Sequence, residues 1–220
     1  MELASVVLAK AMAWVEPMDL NPKGAVFYPD LTKALVARYR FQKFPEKLED
    51  FDGSKGVVFS AGRLGDVVIE QLGLYRYGIM LDTRISTQES KRLLLEAFEW
   101  GRKELGLAYK PDMVKRWQYA SQVTFRSAVP MVNAGSAIGN LVAGVAGSVA
   151  DVMGENLKYD LSILTIDYDQ LTRKHPLGRF SIQRRDNTPF SENKYFSDAP
   201  LPTDVHIRLL EQFEKDLCQK

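Results

Sequence analysis

The side chains that could do chemistry in this chain are few and scattered. Asp167 and Asp169 stand two apart at the expected exit of a strand, so both can face one way. With Asp160 nearby they make an oxygen-rich set of the kind that Mg²⁺ or Ca²⁺ prefers. Aspartates at a strand exit also end the strand and solvate the turn, and that plainer role is the expectation here, with no metal or cofactor assigned. Of the two histidines, His175 sits beside Pro176 in a basic loop, and His206 falls on the apolar side of the last helix, where a packed role is expected. The single cysteine, Cys218, excludes an internal disulfide and a Cys-rich metal site, and its place near the chain end is poor for holding a Cys–His pair. No HExxH, CxxC, phosphate-binding P-loop or dinucleotide glycine fingerprint occurs, and no Gly-x-Ser-x-Gly elbow.

Basic residues give two further candidates. Across 173–194, Arg173, Lys174, Arg179, Arg184, Arg185 and Lys194 face only Asp186 and Glu192. Such a surplus can hold an acidic partner, a phosphate or a headgroup, and it also serves as a charged hairpin edge that resists aggregation. The edge role is preferred, with Arg173, Lys174, Arg179 and Arg185 retained as a candidate anion patch. Arg184 and Arg185 alternate along a strand, so at most one joins it. In 38–45, basic and aromatic residues interleave; this pattern suits single-stranded nucleic acid, but a helix or strand end with rings inward is the expectation. The glycine turn around Arg63 is read as a hairpin rather than an anion site.

The elements that must position any site are better marked. The stretch 127–150 has no charged residue, and 133–153 reads as a helix. At about 100° per residue it divides into a bulky face (Ile138, Leu141, Val142, Val145, Val149, Val152), a nearly bare face and a narrow polar stripe. Gly in a helix interior costs roughly 1 kcal/mol against Ala, so Gly135, Gly139, Gly144 and Gly147 imply a second backbone lying close. Gly135, Gly139, Ala143 and Gly147 recur at the small-xxx-small spacing that permits such contact. Three readings compete: a central helix buried in the domain, a subunit interface, and a membrane-active segment. About 20 mainly apolar residues span a bilayer. The length suffices, but Asn133 and Asn140 interrupt the run and no basic cluster orients it.

Around this stretch the pattern predicts a helix over 3–15 with Leu3, Val7, Ala11 and Trp14 inward. Its acidic start and the Glu16-Pro17 that follows are not those of a secretory signal. A short helix opening at Pro29-Asp30 is expected next. Three strands in a meander follow, near 57–59, 67–69 and 74–81, with turns at 62–65 and 71–73. A helix capped by Ser86 with Glu89 three later comes after them. The clearest strand is 116–126, alternating Trp117, Tyr119, Ser121, Val123 and Phe125 against polar neighbours. Strands at 157–168 and 178–185 and a final helix opening at Thr203 or Asp204 complete the order. Clustered strands with helices between predict one α+β domain over 1–220, an antiparallel sheet with helices on it and a central Gly/Ala-rich helix. Residues 56–106 and 157–218 repeat the order of strands then capped helix, without similarity of residues.

At 220 residues and a formal net charge of +1, strong nonspecific affinity for nucleic acid or anionic lipid is not expected. One cysteine fits a reducing compartment, and a cytoplasmic location is expected. The functional expectation is a non-catalytic interaction protein that self-associates through the small-residue helix, its partner itself or another protein. The alternatives are a permeabilising effector that releases 127–150 into a bilayer, and an enzyme or ligand binder with a dispersed site of Asp167, Asp169, Arg184 and His175.

Overall fold

A computed structural model of the chain describes residues 1–22, 24, 26–52, 55–132, 135–169, 171 and 177–219. Eight strands form one antiparallel sheet: β1 (Glu2–Trp14), β2 (Val57–Leu64), β3 (Val67–Tyr75), β4 (Gly78–Thr83), β5 (Arg116–Arg126), β6 (Ile163–Ile166), β7 (Phe180–Arg184) and β8 (Lys194–Ala199). The helices are α1 (Pro17–Leu20), α2 (Tyr28–Tyr39), α3 (Thr87–Glu104), α4 (Gly135–Met153) and α5 (Thr203–Cys218). The expected α+β class, an antiparallel sheet with helices, is the class observed.

The strand order is β2-β3-β4-β1-β5-β8-β7-β6. Read inward from either edge, it gives a three-strand meander and then the strand that precedes that meander in the sequence. Each half of the chain thus runs strand, helix, three strands, helix. The repeat of strands and helix expected from 56–106 and 157–218 is present in this element order, one strand and one helix longer than the pattern suggested.

The chain divides into two compact units, Val6–Ser121 with Pro200–Val205, and Met1–Ser5 with Gln122–Ala199 and His206–Lys220. In the first, β1 is a correction. The expected N-terminal helix is a strand, paired with β4 in the register Ala9↔Thr83, Ala11↔Leu81 and Ala13↔Ile79. Ala9, Ala11 and Ala13 are buried while Lys10, Met12 and Trp14 are not. Helical spacing of Leu3, Val7 and Ala11 competed with this alternation of small and large residues. A strand with partners satisfies its backbone as well as a helix does, and period-two burial won. Small side chains let α3 approach, and Ser90 Oγ donates to the Ala9 carbonyl at 2.7 Å.

The meander was expected, but both turns are displaced. The first lies at Gly65-Asp66 rather than across 62–65, since Gly62, Arg63 and Leu64 of β2 pair with β3. The second lies at Arg76-Tyr77 rather than at 71–73, because β3 continues to Tyr75 and pairs Gly73↔Met80. Gly73 marks a close approach instead of a turn: a β-carbon there would sit 2.6 Å from the Tyr75 ring. Helices α2 and α3 bury Leu35, Tyr39, Leu93, Leu94 and Phe98 against Val57, Phe59, Ile69, Leu72 and Leu81. Tyr39 and Phe41 turn inward at the end of α2, where Arg40 adopts a left-handed conformation. That is the plainer expectation for 38–45. Helix α3 begins as the sequence indicates, with the Ser86 side chain accepting from the Glu89 N–H at 3.1 Å. Thr87 and Thr203, the first residues of α3 and α5, cap each other: each hydroxyl oxygen accepts the other's backbone N–H, at 3.0 and 2.9 Å.

In the second unit, α5 packs through His206 and Leu210, and Phe125 stacks on Tyr195 at 5.5 Å. The expectation of a central helix buried in the domain is overturned: α4 is helical over Gly135–Met153, but none of its residues is buried. Asn133, the expected first residue, lies outside the described residues.

Candidate functional site

Helix α4 is entered from a firmly held segment. Ser127 Oγ and the Ala128 N–H donate to Glu214 Oε1 of α5 at 2.7 and 2.8 Å, and the N-terminal amine pairs with its other oxygen. Burial pushes the Glu214 carboxyl up, but these donors outweigh it and hold it below its ordinary range. The Met131 N–H donates to the buried Tyr195 hydroxyl at 3.0 Å, and Met131 and Val132 are themselves buried.

Beyond this anchor the packing stops. Nothing lies within 4 Å of where a β-carbon would begin at Gly135, Gly139, Gly144 or Gly147. Ala143 is exposed as well. On the opposite side Leu141 and Val152 are 62% and 84% exposed. The half-buried residues Ile138, Val142, Ala146, Val149 and Ala150 form a single stripe, so α4 rests on the protein along one line only. The second backbone that the glycines imply is not supplied by the described residues.

Exposure continues past the helix. Among the described residues from 135 to 181 none is buried, although Leu157, Tyr159, Ile163 and Ile166 lie in this stretch. Strand β6 is an edge of the sheet. The register Leu164↔Ile182 and Ile166↔Phe180 places these four side chains on one face. Ile182 is buried, Leu164 and Phe180 are half-buried, and Ile166 is 57% exposed. In the other half of the chain, α2 lies against β2, the corresponding edge strand, and Leu35 and Tyr39 are buried there. Exposed apolar surface of this kind is what places of association present. The sequence pointed to the helix and to a strand within 157–168, but its apolar density reads as an interior position, and β6 is an edge.

The charged candidates are mostly spent on one another. Arg179 Nε donates to Asp167 Oδ2 at 2.7 Å, and Asp169 Oδ1 accepts the Leu171 N–H at 3.0 Å. Buried Arg184 pairs with Asp160 at 2.5 Å, donates to the carbonyls of Leu161 and Phe190, and lies 4.7 Å over the Phe190 ring. It is therefore a structural cation. Arg185 is exposed, and its backbone N–H donates to the Lys194 carbonyl. Arg173, Lys174 and His175 lie outside the described residues. Among the described residues no three His, Cys, Asp or Glu side chains gather as metal ligands. His206 is fully buried, with Nε2 2.8 Å from Ser197 Oγ and its ring edge-on to Phe180 at 5.7 Å, as a packed histidine.

No protein-family model matches the chain, and no curated protein sequence does.

Proposed function

We propose that this is a non-catalytic assembly protein of the cytoplasm that self-associates through α4. The observation that carries the reading is that no residue of α4 is buried and that the sheet has an uncovered apolar face at β6. Water penalises both in proportion to apolar area, at about 25 cal/mol per Å². A second copy relieves both at once. Leu141, Val145 and Val152 of one copy cover Leu164 and Ile166 of the other, the role α2 fills in the first half of the chain. The opposite face, Gly135, Gly139, Ala143 and Gly147, crosses the same face of the other α4 at backbone distance. Each copy then gives and receives the same contact, as a two-fold interface requires.

Light scattering on the purified chain tests this. The wild type is expected at twice the chain mass or more, and Gly139→Leu at a lower mass with an unchanged circular dichroism spectrum. Equal masses for the two proteins would sink the reading.

A second reading has specific support of its own. At about 1.5 Å per residue the 19 residues of α4 reach about 29 Å, close to the roughly 30 Å hydrocarbon thickness of a bilayer. It is also long and apolar enough, by length and composition, to cross a membrane. In that case the bulky face meets lipid and the bare face joins helices. Dye release from liposomes supports it; intact liposomes under every condition, with an activating partner included, remove it.

A further inference from the structure

The first unit holds a cavity of about 370 Å³, within the range of small-molecule sites. Its floor is Leu72, Leu74 and Ile79 of the sheet, and its walls come from α2 and α3. Met18, Phe27 and Tyr28 line it and are also exposed, so they form its mouth. None of the described lining residues is Asp, Glu, Lys, Arg or His.

The polar group best placed to orient a ligand is already used. The Asn21 side chain is closed onto Val26, donating to its carbonyl at 2.8 Å and accepting its N–H at 3.1 Å. Gly101 lets the following loop close over the site, since a β-carbon there would meet Leu107 at 2.7 Å. Water entering such a space finds few partners, and an apolar volume left empty destabilises the fold around it.

We infer that this cavity binds an uncharged hydrophobic small molecule, which enters past Met18, Phe27 and Tyr28 and lies between α2, α3 and the sheet. A charged group inside it would lose its hydration with no counter-charge from the described lining residues. The inference involves none of the residues of the assembly surface and stands apart from that reading.

The test is fluorescence titration of the full chain with the neutral dye N-phenyl-1-naphthylamine. Expected is saturable binding at one site per chain, displaced by 1-decanol at concentrations at least tenfold below those needed of decanoate. Half-buried Ala97 lines the cavity. Ala97→Phe should weaken the dye at least tenfold, with Ala97→Leu intermediate, while Leu141→Ser on α4 leaves the affinity unchanged. If Ala97→Phe does not fold by circular dichroism, Ala97→Leu alone decides, with a weakening of threefold or more expected. Absence of saturable binding, or equal affinity in the wild type and the folded Ala97 variants, overturns the inference. So does loss of binding in Leu141→Ser.

Discussion

Helices α2 and α4 hold the same place in the two halves of the chain, each following a long strand and preceding a three-strand meander. Helix α2 has 12 residues and mixes Asp30, Lys33 and Arg38 with Leu31, Leu35, Val36 and Tyr39. One side can therefore face water while the other is buried, and Leu35 and Tyr39 are buried. Helix α4 has 19 residues, Asp151 as its single charge, and nothing buried. The more polar helix is the anchored one. An amphipathic helix carries its own instruction about which side goes inward. A helix apolar on one face and bare on the other carries two contact faces, and the described residues of one chain bury neither.

The largest effect that sharpens this contrast is on protomer stability. Leu35→Ala should cost about 2–5 kcal/mol in urea unfolding, through lost burial and a residual void. Leu141→Ala should change protomer stability by less than about 0.5 kcal/mol, as at an exposed site. A comparable loss at both positions would break the comparison, because α4 would then be packed within its own chain.

A smaller effect comes from the strand beneath α3. Asp82 of β4 is buried, with Oδ1 unpartnered and Oδ2 3.7 Å from Lys10 Nζ. Burial pushes its carboxyl up to about 6; Lys10 pulls it down and Glu70 adds to the rise. The folded chain thus holds this proton more tightly than the unfolded one. The contribution of Asp82 to stability is greatest below the unfolded value near 4 and falls as pH rises through about 6. Asp82→Asn should remove that fall and stabilise the fold by about 1–3 kcal/mol at neutral pH relative to the wild type. Urea unfolding of both proteins at pH 4 and pH 7.5 measures it; an identical pH slope would show that the carboxyl does not titrate in this range.

The smallest effect concerns a helix end. Ser86→Ala removes the side-chain acceptor at the start of α3 and should cost about 1 kcal/mol by thermal unfolding. The loss should leave the mass in light scattering unchanged, since α3 is not among the residues of the proposed assembly surface.

Much of the fold was legible where one rule spoke alone. Ser86 and Glu89 marked a helix start, and the alternation from Trp117 to Phe125 marked β5. Glycine misled in both directions, since Gly73 marks a ring against the backbone and not a turn. The candidate anion patch was legible only as composition: Arg179 and Arg184 are committed to Asp167 and Asp160, partners 12 and 24 residues away in the chain. Separation along the chain conceals such pairs.

By itself the sequence determined the class of fold, the helical state of Gly135–Met153 and the lack of charge over 127–150, because periodicity and composition act locally. Whether β1 is helix or strand was decided only in the tertiary structure, where β4 offers Thr83, Leu81 and Ile79 as partners in register. So was the exposure of α4, because what covers a helix depends on surfaces brought together by the whole chain, and a helix with two contact faces does not encode which surface will meet them.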